Sequence, residues 1–208
     1  MVTFSRNLKR FIYLISPNKI TPNFYVELNN VLASKKVSFF QLRLKNISKS
    51  EIIKIAKKIK IITQKYNVKL IINDSSLIAK KIEADGCHLG QKDDSIEIAR
   101  KNIKKKILGI TCHGSKRLAL NALKNKCNYI AFGSFYKSQL KPKAKKIDIR
   151  ILSWAKKNIK KPIVVIGGIT DKNYKKLIKS GANYIAISTF IWNNPFLKPV
   201  EADRKSVV

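Results

Sequence analysis

The sequence predicts an α/β chain folded as a single (β/α)8 TIM barrel, on three observations. Eight short apolar runs rich in Ile, Val, Phe and Tyr recur along 208 residues. Their apolar character is nearly continuous, as in parallel strands buried on both faces. Lysine-rich amphipathic stretches separate them, so about eight strand–helix units fill the chain, the repeat of a compact barrel. A doubly wound open sheet is the runner-up. If it bound a dinucleotide, it would show a Gly-rich turn after its first strand, and none follows the first run here.

In chain order the predicted strands are FIYLIS (11–16), VSFFQLR (37–43), KLIIND (69–74), GCHLG (86–90), KILGIT (106–111), NYIAFG (128–133), PIVVIGG (162–168) and NYIAIS (183–188). Between the second and third, residues 48–66 place Ile52, Ile55, Ile59 and Ile62 on one helical face with lysines opposite. Ser48 and Glu51 have the spacing of a capping box at its start. Residues 115–126 and 171–181 repeat the amphipathic pattern, the second ending at a Gly stop. The whole chain, 1–208, reads as one domain. Its core runs from about 10 to 195, after a short basic N-terminal tail; the segment after about 196, FLKPVEADRKSVV, is expected to be disordered.

Composition narrows the function classes. The chain carries 44 Lys and Arg against 12 Asp and Glu, a net charge of +32. The basic residues are spread over the predicted solvent faces, and no segment interleaves them with aromatics as a nucleic-acid module does. Nucleic acid is therefore not expected as a partner, whereas a positive surface favours phosphorylated small molecules. No apolar run approaches the roughly 20 residues of a membrane span. The basic and then apolar N-terminus lacks the long apolar region and cleavage site of a signal peptide. Cys87, Cys112 and Cys127 sit among apolar neighbours, as buried thiols of a reducing cytoplasm do. Cytoplasmic localisation is the expectation, and a homo-oligomer is compatible with it.

Half of the acids fall between residues 70 and 99: Asp74, Glu83, Asp85, Asp93, Asp94 and Glu97. Asp74 and Asp93 each follow a strand, at the end where a barrel displays its working groups. Either acid alone also suits a helix N-cap. Two carboxylates on neighbouring strand ends suit Mg²⁺, which takes one or two carboxylates plus phosphate oxygens and waters. Gln41, Arg43 and Lys45 alternate, so they share one side of the second strand, and burying them together calls for an anionic ligand. Asn73, His88, Gln91, Thr111 and His113 stand at further strand ends, and Ser138 and Lys141 follow the sixth. Gly167-Gly168 after the seventh strand and Ser188-Thr189 after the eighth match the usual phosphate-binding corner of a barrel. The residues thus imply two anionic ligands, one polyphosphate-like and metal-bound, the other a simple phosphate.

The motifs QLRLK (41–45), IIND (71–74), DGCHLGQKD (85–93), GITCH (109–113), LKP (140–142), IVVIGGIT (163–170) and GANYIAIST (181–189) resemble those of the thiamine phosphate synthase family, in order and over nearly the whole chain. The resemblance implies a transferase. It would join hydroxymethylpyrimidine diphosphate to a thiazole phosphate, release pyrophosphate and use Mg²⁺ as cofactor. It further implies that Gln41, Arg43, Lys45, Asn73, Thr111 and Lys141 hold the pyrimidine diphosphate, with Arg43, Lys45 and Lys141 catalytic. Asp74 and Asp93 would bind the metal. Ser138, Gln139, Leu140, Gly168, Ser188 and Thr189 would hold the thiazole phosphate. One loop departs from the family pattern Pro-Thr-x-Thr-Lys: Lys137, Ser138 and Leu140 stand in the places of the Pro and the two Thr. Two other readings compete. One is a thiazole tautomerase-like isomerase using His113 for proton transfer; the other is a non-catalytic barrel that binds a precursor or RNA.

Overall fold

The computed structural model describes residues 11–137 and 144–206. Eight strands form a closed barrel in sequence order: β1 (Ile12–Ile15), β2 (Val37–Leu42), β3 (Lys69–Asn73), β4 (Gly86–Leu89), β5 (Ile107–His113), β6 (Tyr129–Gly133), β7 (Ile163–Ile166) and β8 (Tyr184–Ile187). All pairings are parallel, and β8 closes on β1 through Ile12–Leu14 beside Ile185–Ile187. Helices connect the strands: α1 (Phe24–Leu32), α2 (Lys49–Lys65), α3 (Ser76–Lys81), α4 (Ile96–Ile103), α5 (Lys116–Lys124), α6 (Arg150–Asn158), α7 (Tyr174–Lys179) and α8 (Thr189–Trp192). Every observed strand overlaps a predicted run. The open-sheet alternative is excluded by the closure.

The alternation within each strand sorts side chains into two layers. Facing out toward the helices, Leu14, Phe40, Leu70, Leu108, Ile130 and Val165 belong to one large cluster. Facing in, Tyr13, Phe39, Ile71, Tyr129, Val164 and Tyr184 fill the barrel. The inner layer is unusually aromatic, and β5 makes room for it. A Cβ at Gly109 would overlap the Tyr129 ring, so only glycine fits beside it.

Local capping follows the sequence. Ser48 accepts the Glu51 N–H at 3.2 Å at the start of α2. Serines likewise cap the next three helices: Ser75 accepts from Ile78 N, Ser95 from Ile98 N and Ser115 from Leu118 N. On α2, Ile59 is fully buried, with Ile52, Ile55 and Ile62 packed beside it. Gly181, at φ +116°, follows α7 and its cap Ser180 as the expected stop.

The C-terminal segment corrects the sequence reading. Residues expected to be disordered form α9 (Pro199–Ser206). It packs on α1 and α8, burying Ala202 and Asp203 completely, and the Lys36 ammonium donates to the Arg204 carbonyl at 2.9 Å. The segment has few apolar residues, so its order depends on tertiary contact and leaves little trace in periodicity. The basic N-terminal tail expected for residues 1–10 lies outside the described residues. Among the described residues no helix is long and apolar enough to cross a membrane.

Candidate active site

The acids at the ends of β3 and β4 are not caps. Ser75 and Ser95 fill those positions, which leaves the Asp74 and Asp93 carboxylates for other work. Asp74 holds a left-handed backbone conformation, φ +65°, while its N–H donates to the His88 carbonyl at 2.8 Å. A non-glycine residue kept there is a cost that functional sites tolerate. Its side chain pairs with the Lys45 ammonium and hydrogen-bonds the Asp93 carboxyl. Asp93 is turned back by the Gly90 N–H, which donates to it at 2.6 Å. Neighbouring Asp94 is otherwise engaged, accepting from the Ser76 hydroxyl at 2.6 Å.

The two facing carboxyls are driven apart in acidity. Burial raises the Asp74 carboxyl, but the Lys45 and Asp93 hydrogen bonds and the charges of Lys45 and Arg43 outweigh it and hold it below its ordinary value. Burial also raises Asp93. The Gly90 N–H opposes this, but the neighbouring Asp74 charge adds to it, and Asp93 ends above its ordinary value. Two carboxylates at one spot disfavour joint ionisation unless a cation joins them. A pair of this kind, half-buried and flanked by Arg43 and Lys45, fits Mg²⁺ shared with phosphate oxygens.

Gln41 and Thr111 are brought together through the barrel interior. Gln41 is buried and its Nε2 donates to the Tyr13 hydroxyl at 2.9 Å. Tyr13 and Tyr129 hydroxyls lie 2.7 Å apart. Tyr129 is 2.8 Å from His88 Nδ1, and His88 Nε2 is 2.7 Å from the Thr111 hydroxyl. From the sequence His88 is only a strand-end residue, and neither tyrosine stands out as functional. Their one signal was an inward position on a buried strand, where a phenol needs a partner.

Beyond β2, Arg43 is half-buried and Lys45 exposed, while Leu42 and Leu44, on either side of Arg43, are buried in the outer layer. This is the same-side alternation expected. Asn73, at the end of β3, pairs in register with His88. Across the same mouth, after β7, Gly167 and Gly168 take φ +107° and +60°. A Cβ on either would overlap the chain after β6, at Ser134 and at Lys137 respectively. The Ser188 hydroxyl donates to the Ser16 carbonyl at 3.1 Å, and Thr189 opens α8. A cavity of about 430 Å³ lies beside this corner, lined in part by Asn18, Lys19, Thr189 and Trp192. Ser138, Gln139, Leu140 and Lys141 lie outside the described residues.

The cysteines are free and buried. Burial pushes the Cys112 thiol up to about 12, which removes it as a nucleophile near neutral pH. His113 is exposed, at an irregularity of β5 where its φ is +50°, and makes no side-chain hydrogen bond among the described residues.

A family model for thiamine monophosphate synthase matches residues 12–191. The chain belongs to the thiamine monophosphate synthase family. The thiamine-phosphate synthase of Pelagibacter ubique is 52% identical over 198 residues, 95% of this chain and 96% of that protein. The thiamine-phosphate synthase of Erythrobacter litoralis is 36% identical, over 94% of each. Among solved structures, a thiamine phosphate pyrophosphorylase from Pyrococcus furiosus superposes with a TM-score of 0.84 at 26% identity, covering 95% of this chain and 93% of that one. As a thiamine monophosphate synthase family member, the chain is an enzyme on an eight-stranded barrel. The isomerase and non-catalytic readings have no support in these relatives.

Proposed function

We propose that the chain joins 4-amino-2-methyl-5-hydroxymethylpyrimidine diphosphate to a thiazole phosphate, forming thiamine phosphate and pyrophosphate. Beside family membership, the observation that carries this reading is the Asp74–Asp93 pair set among Arg43 and Lys45 at one rim of the barrel. The reaction breaks the pyrimidine CH₂–O bond, leaving a resonance-stabilised cation and a departing diphosphate. Arg43 and Lys45 stabilise the charge that develops on the leaving group, and Lys141 adds to them. Mg²⁺ held by Asp74 and Asp93 would supply further charge there. Gln41 and Thr111 orient the pyrimidine, with Asn73 beside the diphosphate. Gly168, Ser188 and Thr189, with Ser138, Gln139 and Leu140, hold the thiazole phosphate. The thiazole nitrogen then attacks the CH₂ carbon, a positioning task that needs no strong general base. The substrates are small phosphorylated molecules, and the free buried thiols suit a reducing cytoplasm.

Incubating the protein with both precursors and Mg²⁺ tests the reading. Thiamine phosphate and pyrophosphate are expected in equal amounts, and only when both precursors are present. Interconversion of thiazole carboxylate phosphates without condensation would instead favour the isomerase reading.

A further inference from the structure

The chain of hydrogen bonds through the barrel has a direction. An amide Nε2 only donates, so the Tyr13 oxygen accepts from Gln41. A phenol has one hydrogen, and the polarity that gives every hydrogen of the chain an acceptor has Tyr13 donating to Tyr129, 2.7 Å away. In that polarity Tyr129 donates to His88 Nδ1, 2.8 Å away. An imidazole that accepts at Nδ1 carries its hydrogen on Nε2, and that N–H donates to the Thr111 oxygen at 2.7 Å. The Thr111 hydroxyl is left as a donor. At the other end, Gln41 is left with its carbonyl oxygen as an acceptor. Both phenols are buried and burial raises them, so each keeps the hydrogen the chain needs. The ring of His88 stacks on that of Tyr129 at 5.6 Å and 17°, and Gly109 leaves the space that Tyr129 fills. Members come from β1, β2, β4, β5 and β6, so the chain ties five strands under the mouth.

We propose that Tyr129 and His88 are positioning residues whose hydrogen-bond chain fixes Gln41 as an acceptor and Thr111 as a donor toward the aminopyrimidine. The proposal rests on the reading that these two residues meet that ring. An aminopyrimidine offers the matching pattern: its exocyclic amine donates and its ring nitrogens accept. The polarity thereby becomes a specificity device. Without the Tyr129 oxygen, the Tyr13 hydroxyl can donate to Gln41 Oε1 as well as accept from Nε2, so either amide orientation is allowed. The imidazole is then free to take either tautomer, and Thr111 loses its fixed role.

Tyr129→Phe keeps the ring and removes the link. Its kcat/KM for the pyrimidine diphosphate is expected to fall about tenfold, the worth of one good hydrogen bond. KM for the thiazole phosphate should stay unchanged. The preference over an analogue with hydrogen in place of the exocyclic amine should fall by a similar factor. Tyr13→Phe cuts the neighbouring link and should lose the same preference, which keeps the test alive if Tyr129→Phe does not fold. A preference unchanged in the folded variants would overturn the proposal, because loss of packing alone lowers both substrates together. The imidazole tautomer gives a readout independent of turnover. The chain has two histidines, His88 and His113, so nitrogen-15 spectra of a His113→Asn protein report His88 alone. Hydrogen on Nε2 is expected, and hydrogen on Nδ1 overturns the polarity. A wild-type protein that forms no thiamine phosphate would sink the functional reading and leave this tautomer test standing.

Discussion

Asp93 is a carboxyl that the folded chain holds against its preference, a strain that marks candidate working residues. Its acidity is weakened by burial and by Asp74, despite the Gly90 N–H. A carboxyl raised on folding binds its proton more tightly folded than unfolded. Its effect on stability therefore worsens as pH rises from the unfolded value through the folded one. Asp74 is lowered and has the opposite sign: its stabilisation is present above its unfolded value and is lost as pH falls through its folded one. Asp93→Asn keeps an oxygen to accept from Gly90 and removes the charge. In EDTA at pH 7 the variant should melt about 1–3 °C above wild type, a small shift because the site is screened by solvent. The gap should close in acid, where the wild-type carboxyl is protonated. Scanning calorimetry at the two pH values checks this, and a variant that melts below wild type at pH 7 would assign Asp93 a structural role.

At the scale of elements, the two ends of the barrel divide the labour. The rim at the strand C-termini carries the site, and the other end carries stability. There Arg100 of α4 donates to the carbonyls of Lys104, Lys106 and Lys126 at 2.6, 2.9 and 2.8 Å, and to Asn128 Oδ1 at 3.0 Å. One guanidinium thus ties α4 to the entries of β5 and β6. Arg100→Ala should cost about 2–3 kcal/mol in urea unfolding, the scale of charge-assisted hydrogen bonds. Lysine should restore less than half of that, for want of the planar fork. Because the site lies at the far end, kcat should not change; a parallel fall in kcat would show that the two ends are coupled. The elements also differ in how far the sequence displays them. The strands were legible because burial on both faces leaves continuous apolar runs. Helix α9 was not, because its order comes from α1 and α8 rather than from its own periodicity. Likewise the Tyr13–Tyr129 contact joins residues 116 apart in sequence, and only closure of the barrel brings them together. By contrast, the placement of Asp74, Asp93, Gln41 and the glycine pair at strand ends was legible. Which acids were caps was decided by their serine neighbours, Ser75 and Ser95.

For the whole molecule, charge frames the question. A chain of net charge +32 attracts any polyanion, so binding of pyrophosphate by itself says little. What is specific is an acid pair placed where such an anion would dock, next to Lys45. Acids there oppose an anion in the absence of a cation and favour it in the presence of one. Titration calorimetry of pyrophosphate, with Mg²⁺ and with EDTA, in wild type and in Asp93→Asn, reads this directly. In wild type, Mg²⁺ should tighten pyrophosphate by roughly ten- to a hundredfold, since a shared divalent cation is worth several kcal/mol before desolvation. In Asp93→Asn that gain should disappear, while the Mg²⁺-free affinity holds or improves. An equal Mg²⁺ gain in both proteins would contradict the assignment of the pair as the cation's seat.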